Sequence, residues 1–355
     1  MTNSDRLRYS RQLRLPEVGE EGQHRLSQAS VLVVGAGGLG SPVLHHLTAS
    51  GVGTIGVVEF DSVDVSNIHR QTLYATSDVG TSKLNAARDR LLAVNPNVEL
   101  RLHDKRLDAG NADRLVEGYD VIVDGSDTFA TRYVVNDAAV RAGTPNVYAS
   151  VSQFSGQASV FGVEGGPCYR CLFPEPPPPG LVPNCEAGGV LGVVPSLLGT
   201  VQASEVLKLL LGIGQSLVGR LLLVDVLRME FREIKVEKDP GCPTCGTAGG
   251  LSAPLTEAPE ITVGELRQRL ARGRGPALLD VREVTEREQG HIGGALIPLG
   301  QLEARAFELD GASDLVVYCA TGGRSAAAAR WLRERGVPAV SLRGGMEAWN
   351  AQPVS

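Results

Sequence analysis

The sequence predicts an α/β chain in two parts: a doubly wound, largely parallel sheet domain followed by a smaller α/β domain. Three observations predict it. A short apolar run, Val31 to Val34, opens onto a glycine-rich turn and then a helical pattern. Strand-length and helix-length apolar segments alternate after it, which marks a parallel sheet. The composition then shifts at residues 246–258, GTAGGLSAPLTEA, and the alternation starts again beyond. The boundaries expected are 1–245 for the first domain, 246–258 for a linker and 259–355 for the second.

Composition sets the outer limits. With 355 residues and 43% hydrophobic side chains the chain suggests two or three domains with real cores. A net charge of −6 gives no basic footprint for nucleic acid. No apolar run of about 18 residues stands out, so no membrane span is expected. The N-terminus, MTNSDRLRYSRQ, lacks the apolar stretch of a signal peptide, which gives a cytoplasmic expectation. Six cysteines in such a chain read as metal ligands or reactive thiols rather than a disulfide framework.

The turn after the first strand is Gly35-Ala36-Gly37-Gly38-Leu39-Gly40, the GxGxxG pattern of a Rossmann-like nucleotide site. One glycine makes the turn, one lets backbone approach phosphate, one packs helix on strand. The helix after it, with Leu39, Val43, Leu44 and Leu47 on its apolar side, points its first amides at an anion. A second strand, Thr54 to Phe60, ends at Glu59 and Asp61, about 20 residues on, where a ribose hydroxyl is held. This fingerprint alone fits a nicotinamide oxidoreductase as well. The stretch Asp61, Asp64, Ser66, Asn67, Arg70 and Gln71, followed by Lys83, argues instead for ATP. A triphosphate needs cationic partners during attack, and a dinucleotide has no use for two more.

On these residues the sequence resembles the ubiquitin-activating superfamily in its small bacterial form, above all the molybdopterin-synthase and thiamin sulfur-carrier adenylyltransferases with an attached rhodanese domain. The resemblance implies that Arg11, in the motif Arg8-Tyr9-Ser10-Arg11-Gln12, crosses a homodimer interface to the neighbour's triphosphate. Read without it, the arm is a surface helix with solvated arginines. It also implies that Lys83 lies on the phosphates, where the plainer reading is a solvated lysine at a helix start.

A third strand, Val98 to Leu102, and a helix around Ala112 to Glu117 lead to a fourth strand, Val121 to Asp124. It ends in Asp124-Gly125-Ser126-Asp127-Thr128, at the carboxyl edge where doubly wound sheets bind ligands. Asp127 is the natural magnesium ligand, since magnesium takes a carboxylate plus phosphate oxygens. Asp124 could instead be a turn former, and so could Asp127 without the family resemblance. The family has Asp-Asn where this chain has Asp127-Thr128, and aspartate where it has Glu59; Thr128 and Glu59 keep groups able to serve. A helix, Thr131 to Ala142, and strands Asn146 to Ser150 and Gly156 to Phe161 follow.

Two CxxC pairs, Cys168/Cys171 and Cys242/Cys245, fit a closed tetrahedral zinc site, with two redox pairs as the alternative. Between them a proline-rich loop precedes Cys185. A buried inert thiol is the common fate of a lone cysteine, but Cys185 lies in a polar, glycine-flanked segment. The resemblance implies that it attacks the activated carrier or resolves its persulfide. Gly192 to Leu211 then reads as a long amphipathic helix, and Leu221 to Val236 as a hairpin covering the sheet.

In the second domain a helix, Val263 to Arg272, and a strand, Ala277 to Val281, carry Asp280-Val281-Arg282-Glu283. Gly290-His291-Ile292-Gly293-Gly294-Ala295 follows. Both resemble rhodanese signatures. Strand Asp314 to Tyr318 runs into Cys319-Ala320-Thr321-Gly322-Gly323-Arg324 and then a helix, Ser325 to Arg335. Loop amides and helix N-terminus turn positive dipole on Cys319, which favours a thiolate and an anionic persulfide, and Arg324 adds a full charge. A phosphatase-like anion loop shares the cysteine and arginine; the two signatures favour rhodanese. His291 is expected to be structural.

The activity implied is adenylation of the C-terminal glycine of a ubiquitin-like sulfur carrier protein ending in Gly-Gly, with ATP, magnesium and zinc. Sulfur transfer from a Cys319 persulfide would follow, loaded by a donor such as a cysteine desulfurase or thiosulfate. The alternatives are an activator that forms a carrier thioester on Cys185 for protein conjugation, and a free-standing thiosulfate sulfurtransferase.

Overall fold

The computed structural model describes residues 1–176, 188–246, 259–271, 275–309 and 311–351. These fall into two compact units, one on each side of the region read as a linker.

The first unit is built on eight strands: β1 (Ser30–Val34), β2 (Thr54–Glu59), β3 (Glu99–Asp104), β4 (Val121–Asp124), β5 (Asn146–Ser152), β6 (Ser155–Phe161), β7 (Arg220–Asp225) and β8 (Glu230–Lys235). They lie in the order β3-β2-β1-β4-β5-β6-β7-β8. The strands β1 to β5 are parallel and β5 to β8 antiparallel. The apolar run in β1 has a physical reason: Val31 and Val33 pack into one core, Leu32 and Val34 into another on the opposite face. After β3 the chain crosses to β4 on the other side of β1, so β1 and β4 flank the point where the winding reverses.

Three expectations need adjustment. The hairpin of β7 and β8 extends the sheet rather than covering it, and β8 is an outer strand with mostly exposed side chains. Charged Glu230, Arg232, Glu233 and Lys235 alternate there with exposed Phe231 and Ile234, which discourages edge pairing with another chain. The helix Val193–Leu211 is long and apolar enough to cross a membrane. It is instead a core helix, with Val194, Leu198 and Val206 fully buried beside the helix Gly40–Ser50 and the sheet. Its amphipathic reading was too narrow, because partly buried Leu197, Val201, Leu207 and Leu210 pack against the same core.

The second unit holds β9 (Glu260–Ile261), β10 (Ala277–Asp280), β11 (Ala295–Leu296), β12 (Leu315–Tyr318) and β13 (Ala339–Leu342). All pair in parallel in the order β11-β10-β12-β13-β9. Leu315 and Val317 face one core, Val316 and Tyr318 the other. Central β12 therefore delivers Cys319 at its carboxyl end.

Candidate active sites and metal centre

In the first unit the ends of β2, β1 and β4 lie side by side, with Val34 in register with Val58 on one flank and Asp124 on the other. The glycine turn between them is a close fit. A Cβ on Gly40 would stand 2.0 Å from the Gly35 carbonyl oxygen, so only glycine starts that helix. Tyr74 locks the turn, its hydroxyl donating to the Ala36 carbonyl at 2.8 Å.

Glu59 is buried and its carboxylate is occupied. It accepts from the backbone amides of Ala36 at 3.0 Å, Phe60 at 2.8 Å and Asp61 at 3.0 Å. Its first task is thus to hold the glycine turn against β2, a role the sequence did not disclose. Lys83 is not solvated: its side chain is 7% exposed and its Nζ donates to Asp61 at 3.2 Å. Arg70 donates to the Ser66 carbonyl at 2.7 Å, and Asn67 Oδ1 accepts from the Asp64 amide at 3.2 Å. Asp127 and Thr128 are exposed, and Thr128 caps the helix Phe129–Ala142 by accepting from the Thr131 amide.

Two buried acceptors at this edge, Gln71 Oε1 and Asp124 Oδ2, have no hydrogen-bond partner among the described residues. Burial pushes the Asp124 carboxyl above the usual carboxylate range, although Arg132 and Ser126 oppose the shift. Unmet acceptors in a polar, glycine-lined edge suit a hydroxyl-rich anionic ligand.

Arg11 is exposed and has no hydrogen-bond or ion-pair partner among the described residues, while its neighbours anchor the arm. Arg8 donates to the Val94 carbonyl, the buried Tyr9 hydroxyl accepts from Asn95, and Gln12 donates to Gln23. Cys185 lies outside the described residues.

The four cysteines Cys168, Cys171, Cys242 and Cys245 converge, their sulfurs all within 4.8 Å of one another. The Cys168–Cys242, Cys171–Cys245 and Cys171–Cys168 separations are 3.6, 3.4 and 4.0 Å. A tetrahedron of Zn–S bonds near 2.3 Å has edges of about 3.8 Å, so the thiols fit zinc, and all four are free of disulfides in this structure. Cys171 Sγ also accepts from the amides of Cys168 and Asp239, as a thiolate ligand does. Burial and neighbouring thiols push Cys168 up, and burial with Cys171 pushes Cys245 up to about 12. A dication would remove that opposition.

Cys319 is fully buried at the head of its loop. The Gly322 amide donates to its sulfur at 3.1 Å, and the thiol lies 3.6 Å from Ser325 Oγ. Gly322 has φ +101, which turns that amide inward and which a side chain would resist. The far wall is the helix Gly345–Ala351, whose Met346 and Glu347 amides donate to the Cys319 and Ala320 carbonyls. Arg324 departs from expectation: Glu286 takes its guanidinium through both carboxylate oxygens, at 2.8 and 2.5 Å. The Asp-Val-Arg-Glu signature is structural. Arg282 makes a buried bidentate pair with Asp280 and donates onward to the Glu286 and Gly290 carbonyls. His291 is exposed.

Residues 9–244 match the ThiF family, and residues 262–352 match the rhodanese-like domain. The chain belongs to the ThiF family. The ThiF-family relative MoeZ of Mycobacterium tuberculosis, a probable adenylyltransferase/sulfurtransferase, is 47% identical over 363 residues, 97% of this chain and 93% of its own. The sulfur carrier protein adenylyltransferase of Thermus thermophilus is 55% identical over 244 residues, 67% of this chain and 90% of its own. The crystal structure of Escherichia coli MccB matches with a TM-score of 0.61 at 22% identity, covering 68% of this chain and 75% of that one, a likeness of fold. This ThiF-family chain is an adenylyltransferase and a sulfurtransferase.

Several residues that build the two sites of this ThiF-family member escaped sequence reasoning. Asp137 takes a buried bidentate pair from Arg170 and a hydroxyl from Thr244, and Asn136 accepts from the Tyr169 amide. These contacts fasten both cysteine knuckles to the helix Phe129–Ala142. Gln202 donates to the Asp124 and Val147 carbonyls from the core helix. The signal was present as charged or amide residues inside apolar helical patterns; their partners lie far away in sequence.

Proposed function

We propose that the first unit adenylates the C-terminal glycine of a ubiquitin-like sulfur carrier ending in Gly-Gly, and that the second supplies the sulfur that displaces AMP. The observation that carries the reading is the pairing, on one chain, of a ThiF-family nucleotide edge with a rhodanese loop holding Cys319.

The carrier carboxylate attacks the α-phosphorus of ATP and pyrophosphate leaves, so little acid–base help is needed. Lys83, Arg70 and Asn67 would stabilise charge on the phosphates, joined by Arg11 from a second copy in a homodimer. The exposed guanidinium of Arg11 on an otherwise anchored arm supports that role. Asp127 would hold magnesium, which neutralises phosphate charge. Glu59 would meet the ribose through its remaining acceptor capacity, with Gln71 and Asp61 beside it. Glycines 35, 37, 38 and 40 let the phosphates reach the backbone.

Cys319 persulfide then attacks the acyl carbon, AMP departs and an acyl disulfide forms. Cys185 thiolate would attack the Cys319 sulfur, releasing the thiocarboxylate and leaving a Cys185–Cys319 disulfide for a dithiol reductant. Cys168, Cys171, Cys242 and Cys245 would hold zinc in a closed site that supports the fold. A cytoplasmic location suits these reduced thiols.

The test is ATP–pyrophosphate exchange with a Gly-Gly-ended carrier. Exchange should require the carrier, vanish in Asp127→Ala and survive in Cys319→Ala. No exchange with any such carrier rejects the reading. Carrier–target conjugates that persist under reducing conditions would favour thioester chemistry at Cys185 instead.

A further inference from the structure

We propose that Glu286 sets the donor specificity of the Cys319 loop: by neutralising Arg324 it leaves a site that takes sulfane sulfur from a thiol persulfide in preference to the thiosulfate dianion. The inference rests on the reading of Cys319 as the persulfide-bearing residue.

The loop Cys319-Ala320-Thr321-Gly322-Gly323-Arg324 carries one cationic side chain, and Glu286 clasps it bidentately. Glu286 is itself fixed, since its Oε2 also accepts from the Glu283 amide at 3.0 Å. The pair is about one-third exposed on each side, 35% and 32%, so it stands at the surface of the loop rather than beneath it. Arginines on the flanking segments are likewise engaged. Arg282 and Arg287 share Asp280, at 2.7 and 3.8 Å, Arg287 also donates to the Gly294 carbonyl, and Arg343 pairs with Glu260 at 2.7 Å; Glu283 adds a further carboxylate close enough to act on Arg324. What reaches the sulfur is neutral: the Gly322 amide and the Ser325 hydroxyl, which is tied in turn to the Gly322 carbonyl and Ser341. Oriented amides suffice for a single negative charge, whereas a dianion needs a net positive field that this loop lacks.

The step balances without an outside oxidant or reductant. Cys319 thiolate attacks the outer sulfur of R–S–SH, the donor S–S bond breaks, and R–S⁻ leaves with the electron pair. The proton stays on the transferred sulfur, giving Cys319–S–SH. With thiosulfate the same attack expels sulfite, and the incoming reagent brings two charges to a loop whose one guanidinium is already paired.

The experiment measures sulfur loading on the full chain, trapped as thiocyanate, with three donors: thiosulfate, glutathione persulfide and a persulfidated cysteine desulfurase. For the wild type, kcat/KM for either persulfide should exceed that for thiosulfate at least 100-fold; whichever persulfide is faster tells a small donor from a protein-borne one. In Glu286→Gln the thiosulfate-to-persulfide ratio should rise at least tenfold, and the thiosulfate rate should fall more steeply with added salt. Equal use of thiosulfate by the wild type overturns the proposal even should the variant fail to fold. So does a folded Glu286→Gln in which both donors change alike, since the pair would then be structural only. Loading that survives Cys319→Ala would show that the reading of Cys319 has failed; loading that needs Cys319 with an unmoved ratio overturns only the present inference.

Discussion

Lys83 is a buried ammonium whose counter-charge is Asp61. In the proposed adenylation site such a cation would meet phosphate with its desolvation already offset by the fold. Lys83→Met should therefore lower kcat/KM for pyrophosphate exchange by roughly 10² to 10³, the usual loss on removing one transition-state donor. Asp124 behaves in the opposite sense. Its carboxyl is raised by burial, so the folded state favours the protonated form: its contribution is fully favourable below the unfolded aspartate value and is lost as pH rises through the folded one. Asp124→Asn should accordingly unfold at a higher temperature than wild type at pH 7, and the gap should close as pH falls toward 4. Thermal melts across that range decide it.

At the scale of elements, the glycine turn is the part least open to change. Gly40→Ala puts a methyl carbon into the Gly35 carbonyl and should cost more than about 3 kcal/mol or prevent folding, as a denaturant titration would show. This turn, the strands beside it and the two CxxC pairs were legible because they are local patterns: apolar periodicity, glycine spacing, cysteine spacing. Three contacts were not. Glu59 was readable as a carboxylate near a ribose, but its three amide partners come from backbone brought together by folding. Arg324 was readable as a charge on the loop, and its neutralisation by Glu286, 38 positions away, was not. The pair of Asp137 with Arg170 spans 33 positions and has no motif at all. The hairpin's place was missed for a related reason, since alternation in β7 and β8 fits a covering layer and a sheet edge equally well. Cys185 keeps only the reading its sequence gives it.

For the whole molecule, each unit has its own cores and its own sheet. A chain ending after residue 246 should keep carrier-dependent pyrophosphate exchange within about threefold of the full chain and lose sulfur transfer entirely. Exchange that collapses on truncation would show that the first unit needs the second to fold or to act. Metal analysis of the same fragment should find one zinc per chain. Stripping it with a strong chelator should lower the unfolding temperature markedly, because Asp137 and Asn136 tie the knuckles to the helix behind Asp127.

The cysteine cluster also imposes an order on how the protein is made. Cys168 and Cys242 are 74 positions apart, and so are Cys171 and Cys245. During synthesis the first knuckle leaves the ribosome with only half a coordination sphere, and the second emerges after β7 and β8 have been translated. No nascent chain that stops short of Cys245 can close the tetrahedron, and closing so large a loop falls late, once the sheet has brought its ends together. A metal held by the four thiols would thus close its shell only on a chain translated through Cys245, while the second unit is still being translated.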